Sequence, residues 1–143
     1  MRIADILRAK GSEVVTVGAD RTVLEAIRVL VHHNIGSAVI AEEGQPLGIV
    51  TERDVLRLVA SEPERVRTMK VADAMTTGLV TSTSEDTVKH AMNLMTRCRV
   101  RHLPIVEDDQ LMGMVSIGDV VNALRVDTEE VNSHLRAYIS GVS

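Results

Sequence analysis

Apolar and polar positions alternate along this chain in a pattern that is laid down twice. Residues 47–50 read as a short buried strand that stops at the hydroxyl of Thr51, and a helix opens behind it with a carboxylate three positions on, at Asp54. The same order returns 65 positions later: Gly48-Ile49-Val50-Thr51-Glu52-Arg53-Asp54-Val55 is answered by Gly113-Met114-Val115-Ser116-Ile117-Gly118-Asp119-Val120. Upstream of each motif, the β-branched run 14–17 and its counterpart 79–82 predict brief strands. Thr22 followed by Glu25 is a capping pattern for a helix whose apolar face carries Val23, Ala26, Ile27, Leu30 and Val31. Val88, Ala91, Met92 and Met95 form the matching face of the second copy. Strands at 37–41 and 102–106 follow, each joined by a polar hairpin to its motif strand, 47–50 or 112–115. From 15 to 59 the second copy keeps its offset without a gap, with identities such as Thr16/Thr81, Thr22/Thr87, Ile40/Ile105 and Gln45/Gln110. The pattern predicts one βαββα unit used twice.

Three segments stand outside that register. Residues 3–7, IADIL, are echoed by 71–75, VADAM, at an offset of 68, so each copy begins with a short leader. Residues 61–67 are polar and contain Pro63, the pattern of an exposed crossover with few contacts. From 128 onward Val131, Leu135, Tyr138 and Ile139 share one helical stripe, after a capping pattern from Asp127 or Thr128 into Glu130. A lone amphipathic helix needs a partner to bury such a stripe. The expected organisation is a first unit at 1–67, leader included, a second at 68–127, and a terminal helix at 128–143 that serves assembly.

The two hydroxyl–acid pairs carry two readings. Thr51 with Asp54 and Ser116 with Asp119 fit a capping box, in which side chains satisfy orphan backbone N–H groups at a helix start. The same geometry can hold a phosphate at the helix N-terminus and a sugar diol on the carboxylate.

Composition narrows the field. With Tyr138 the sole aromatic residue, a base-binding pocket would grip its ligand between aliphatic side chains, not by ring stacking. A formal charge of −4 argues against a nucleic-acid backbone as partner. The single Cys98 fits a reducing compartment and excludes an internal disulfide. The first residues meet Asp5 at once, unlike a signal peptide, and no apolar run approaches the roughly 18 residues of a membrane span. These features predict a soluble, cytoplasmic protein with no membrane partner. His32 and His33 point about 100° apart on a helix and cannot chelate one metal together, and no ligand spacing joins His90 or His134 to them. No metal is expected. Cys98 lies near His102 in sequence, but nothing supplies an oxyanion hole or an orienting third group, so no catalyst is expected either.

The duplicated motif, together with the run Val100-Arg101-His102-Leu103-Pro104-Ile105-Val106, resembles the cystathionine β-synthase (CBS) domain family in its paired form, the Bateman module. The resemblance spans nearly the whole chain. It implies an α/β fold of two tandem units about a pseudo-twofold axis, with clefts between them that bind adenosine nucleotides. AMP is foremost, with ADP, ATP, NAD(H) and S-adenosylmethionine as the other choices. It also implies a non-catalytic regulator that forms a homodimer and acts on a separate effector.

Carried over by position, Asp54 and Asp119 match the acids on the ribose hydroxyls, since a carboxylate accepts from both hydroxyls of a cis-diol. Thr51 and Ser116 match the hydroxyls near phosphate. Arg53 offers charge just before its acid, whereas Gly118 offers only backbone approach. Thr16 and Thr81 match the strand edging the adenine, with the backbone around Ile35-Gly36-Ser37 and Val100-Arg101-His102. Arg101 and His102 match positions that face phosphate, and the first copy has Gly36 and Ser37 there. Pro104 belongs to the family's pattern, and Val39 replaces it in the first copy. Unequal sites follow, the second copy being the better equipped for phosphate. The alternative is a ligand-independent dimerisation scaffold in which both motifs only cap helices.

Overall fold

The computed structural model describes residues 1–139, with the side chains of 129–135 and 138 outside the described set. The elements follow in the order α1 (Ile3–Lys10), β1 (Thr16–Val17), α2 (Val23–His33), β2 (Ser37–Glu42), β3 (Gln45–Thr51), α3 (Glu52–Ser61), α4 (Val71–Ala74), α5 (Val88–Cys98), β4 (His102–Glu107), β5 (Gln110–Ser116) and α6 (Ile117–Ile139). The predicted βαββα repeat is present in the first copy.

Each local choice has a local cause. Thr22 accepts the Glu25 N–H at 3.2 Å and starts α2, and Thr87 accepts the His90 N–H at 3.0 Å and starts α5. Both helices end on a left-handed residue, Asn34 at φ 53° and Arg99 at φ 56°. Strands β2 and β3 turn through Glu43 and Gly44, both at positive φ, which is the backbone of a two-residue hairpin whose twist suits its strands. Asp108 and Asp109 make the same turn between β4 and β5, and aspartate tolerates that conformation better than most residues. Even the irregularity repeats: the pairing slips between Ile40 and Ala41, and again between Ile105 and Val106.

The sheets differ at one edge. β1 adds in parallel to β2, pairing Val17 with Ile40, and makes a three-stranded sheet. The strand expected at 79–82 shrinks to one parallel bridge, Ser82 with Ile105, held by Ser82 N–H on the Pro104 carbonyl and Val106 N–H on the Ser82 carbonyl. Ser82 spends its side chain on Asp86. The register of the bridge is that of Val17 with Ile40, so the path is kept while the strand is not.

The leaders are exchanged. α1 contributes Ile3, Ile6 and Leu7 to the core of the second repeat, among Val88, Met95, Leu103, Ile105, Val115 and Val120. Val71 of α4 is buried in the core of the first, among Val17, Ala26, Leu30, Ile40 and Val50. Backbone hydrogen bonds fix both: Val88 N–H to the Met1 carbonyl at 3.0 Å, and Val23 N–H to the Met69 carbonyl at 2.9 Å. This explains the glycine of each motif. A Cβ on Gly113 would lie 2.8 Å from Leu7, and one on Gly48 would lie 2.5 Å from the Met75 sulfur and 2.9 Å from the Thr76 carbonyl.

Three other expectations change. Residues 61–67 are no free crossover, because Leu24 N–H donates to the Val66 carbonyl and Val66 packs on the cluster of Val23, Leu58 and Met69. Val31 lies outside the buried stripe of α2 and is 74% exposed, since α3 does not cover that side. No helix starts at Asp127 or Thr128: α6 runs unbroken from Ile117, and the Thr128 hydroxyl donates back to the Leu124 carbonyl at 2.9 Å instead of capping. Of the expected terminal stripe, Ile139 is exposed, and Val131, Leu135 and Tyr138 lie outside the described side chains.

Candidate functional site

Both capping boxes form. Asp54 Oδ2 accepts the Thr51 N–H at 2.9 Å and the Thr51 hydroxyl at 3.1 Å, while Thr51 Oγ1 accepts the Asp54 N–H at 3.3 Å. Asp119 Oδ2 accepts the Ser116 N–H at 2.9 Å, and Ser116 Oγ accepts the Asp119 N–H at 3.1 Å. Each motif helix is then drawn toward the segment before the neighbouring strand: Glu52 N–H donates to the Gly36 carbonyl at 3.0 Å, and Ile117 N–H to the Arg101 carbonyl at 2.8 Å.

A cleft of about 550 Å³ opens where the first motif faces the second repeat. Its walls carry Gly36, Thr51, Arg53, Asp54, Arg57 and Thr76 on one side and Arg99, Val100, Arg101 and His102 on the other. Arg101 and His102, expected to equip the second copy, also line this cleft with the acid of the first. They remain beside their own motif too, where the Arg101 carbonyl accepts the Ile117 N–H and His102 pairs with Ser116 across β4 and β5. Four arginines and one histidine meet Asp54 and Glu52 there, so the cleft has a surplus of cationic donors. His102 titrates below its ordinary value; burial of the ring is the main cause and the Arg101 charge adds to it, against the pull of Glu52 and Asp119.

Several of these groups belong to no motif of the sequence. Thr76 pairs its backbone with Ile49 in both directions, at 3.0 and 2.9 Å, and its hydroxyl lies 3.4 Å from Asp54 Oδ1. Arg57 stands one helical turn beyond Arg53, and Arg99 reaches the cleft because it occupies the left-handed end of α5. Lys10 lies at the other acid, its ammonium 2.7 Å from Asp119 Oδ2 and 2.9 Å from the Met114 carbonyl. The Asp119 carboxyl titrates below its usual range: partial burial pushes it up, and the Lys10 and Ser116 hydrogen bonds more than offset that. An i,i+3 spacing finds Arg57-like neighbours, but only the exchanged leaders bring in Thr76 and Lys10.

The remaining candidates are scattered. Thr16 lines a separate cavity of about 360 Å³ with Arg21, Glu25 and Arg28, away from Asp54. Ile35 lines an apolar groove with Val31 and Leu56. Ser37 is buried opposite Thr51, Pro104 is buried in β4, and Thr81 and Gly118 are exposed. Among the described residues no group of three or more His, Cys, Asp or Glu is placed to hold a metal, and no helix is long and apolar enough to cross a membrane.

A duplicated α/β unit with exchanged leaders and a hydroxyl–acid motif in each copy defines a tandem-repeat architecture, and comparison with known proteins gives it a family. The CBS domain model matches residues 3–61 and again 71–126, and the chain belongs to that family. It is 38% identical, over 97% of its own length and 72% of the relative's, to the CBS domain-containing protein CBSX3, mitochondrial, of Arabidopsis thaliana. The CBS-domain containing protein ATU1752 from Agrobacterium tumefaciens superposes with a TM-score of 0.81 at 40% identity, covering 86% of this chain and 98% of that one. The CBS domain pair of MJ0100, solved with 5-methylthioadenosine and S-adenosyl-L-methionine, shares the fold at 23% identity and a TM-score of 0.78, over 89% of this chain and 98% of that one.

Proposed function

We propose that this CBS pair is a regulator that binds an adenosine nucleotide in the cleft at Asp54 and signals occupancy to a separate effector protein. The observation that carries this is the cleft itself, a carboxylate aimed inward beside a helix N-terminus and faced by Arg53, Arg57, Arg99 and Arg101. A carboxylate suits a ribose diol and the arginines suit phosphate, so one nucleotide satisfies both ends. AMP, ADP and ATP therefore rank ahead of S-adenosylmethionine, whose sulfonium would sit among like charges; NAD(H) remains on the anionic side. MJ0100, alike in fold, holds adenosine-bearing ligands, which is why this ligand set heads the trial. The reading is that of a non-catalytic, cytoplasmic homodimer that senses energy or redox state. Its signal would be a shift between conformations of unequal ligand affinity.

Titration calorimetry on protein stripped of carried-over ligand, with AMP, ATP, S-adenosylmethionine and NADH, tests it. Saturable heat with a phosphate-bearing ligand is expected. No heat with any of the four would transfer the motif to a second reading, a dimerisation scaffold, favoured by the complete capping boxes and by exposed Val31 and Leu56 along one groove.

A further inference from the structure

The two acids are not equally free. Among the described residues, the hydrogen bonds to Asp54 are those of Thr51 on Oδ2, at its own helix start, and of the Thr76 hydroxyl on Oδ1 at 3.4 Å. A hydroxyl rotates aside to admit a stronger donor. At Asp119 the competitor is a charge: Lys10 Nζ at 2.7 Å shares Oδ2 with the Ser116 N–H, which uses both lone pairs of that oxygen. The same ammonium also takes the Met114 carbonyl at 2.9 Å, whose counterpart in the first repeat, the Ile49 carbonyl, is taken by the Thr76 backbone. Lys10 is delivered by a fixed element. It ends α1, which is anchored in the core by Ile3, Ile6 and Leu7 and closed by Gly11 N–H on the Leu7 carbonyl at 2.8 Å. At the leader offset of 68 the counterpart of Lys10 is Gly78, which has no side chain to offer.

We propose that Lys10 sets the order in which the clefts fill: held on Asp119, it acts as an internal occupant of the second site and leaves the cleft at Asp54 as the one a ribose ligand enters first. This rests on the reading of both acids as ribose acceptors. A diol that bridges both oxygens of Asp119 must displace the ion pair on Oδ2, whereas at Asp54 it displaces only hydroxyls. Lys10 and Asp119 side chains are 39% and 26% exposed, so the handicap is that of a part-exposed pair, about fivefold in affinity.

The test is calorimetry with AMP and with ATP on the full chain and on Lys10→Met, Lys10→Gln, Asp54→Ala and Lys10→Met/Asp119→Ala. Lys10 is exposed enough for both substitutions to fold, and thermal melts check that. The expected result is a weaker second binding event that tightens about fivefold in both Lys10 variants, persists in Asp54→Ala and vanishes in Lys10→Met/Asp119→Ala, with the first event unchanged within about twofold. Two events of equal affinity in the unaltered protein would overturn the proposal, and so would a second event that weakens in Lys10→Met, which would make Lys10 a ligand contact. Absence of heat in every variant would sink the nucleotide reading itself, an outcome distinct from either of these.

Discussion

Asp54 and Asp119 occupy equivalent positions in two copies of one motif, both close a capping box, and both stand at the start of a helix behind an antiparallel hairpin. Their surroundings diverge beyond that. The first shares a cleft with Arg53 and Arg57 of its own helix and Arg99 and Arg101 opposite, and the Thr76 hydroxyl lies 3.4 Å from it. The second is bound to Lys10. The difference teaches that a repeated local motif sets where a carboxylate points, while the element packed against it sets what the carboxylate can still do. Here that element is the leader of the opposite repeat, and the leaders diverge more than the motifs do.

The comparison can be broken most forcefully at the leaders. Ile3 is fully buried in the core of the second repeat, so Ile3→Ala should cost about 2–5 kcal/mol. Hydrogen exchange should accelerate in β4 and β5 before β2 and β3. Earlier loss of protection in β2 and β3 would show that α1 supports the repeat it precedes in sequence.

Next in size is the acid of the open cleft. Asp54→Ala should weaken AMP or ATP by roughly tenfold to a hundredfold, the value of hydrogen bonds to a charged group at about 1.5–3 kcal/mol. Calorimetry reads this, and an unchanged affinity would return Asp54 to capping alone.

The motif glycines give a smaller, graded contrast. Gly48→Ala meets both the Met75 side chain and the Thr76 carbonyl, whereas the atoms nearest to a Gly113→Ala methyl all belong to the Leu7 side chain, which can turn aside. Overpacking costs about 1–3 kcal/mol, with Gly48→Ala toward the upper end and Gly113→Ala toward the lower. Urea denaturation measures both, and equal costs would mean that the two leader contacts are equally yielding.

The smallest effect is a pH dependence. Burial, and then Arg101, hold His102 below its ordinary value, so the unfolded chain binds a proton more readily than the folded one. Its contribution to stability is full above about pH 6.5, the unfolded value, and declines as pH falls through that value toward the lower folded one. His102→Gln should flatten this decline in denaturation at pH 7.5, 6.5 and 5.5. A phosphate in the cleft would raise the ring's pKa, so nucleotide affinity should increase as pH falls from 7.5 to 6, with proton uptake visible in buffers of different ionisation heat.

Much of the fold was legible because its causes are local. Thr22 and Thr87 cap three residues ahead, and the Val23–Ala26–Leu30 spacing makes one buried face. Val31 was not legible, since helical spacing gives a stripe but not how far the neighbouring helix covers it. The strand at 79–82 failed for a related reason: Leu79 and Val80 carry the composition of a strand, but backbone pairing in that segment is confined to the bridge at Ser82. Of the site, the acids, their hydroxyls, Arg53 and Arg101 could be picked out by position and Arg57 by its helical spacing from Asp54, whereas Lys10 and Thr76 could not.

By itself the sequence determined that one strand–turn–helix device occurs twice and that each copy presents a hydroxyl and an acid at its helix start. Those are contacts between residues three or four apart, and spacing alone fixes them. The tertiary structure decided which leader covers which repeat, that Arg101 and His102 line a cleft with the acid of the other copy, and that Lys10 holds Asp119. These are contacts between distant segments, chosen by which apolar faces bury each other best, and no local pattern along the chain encodes them.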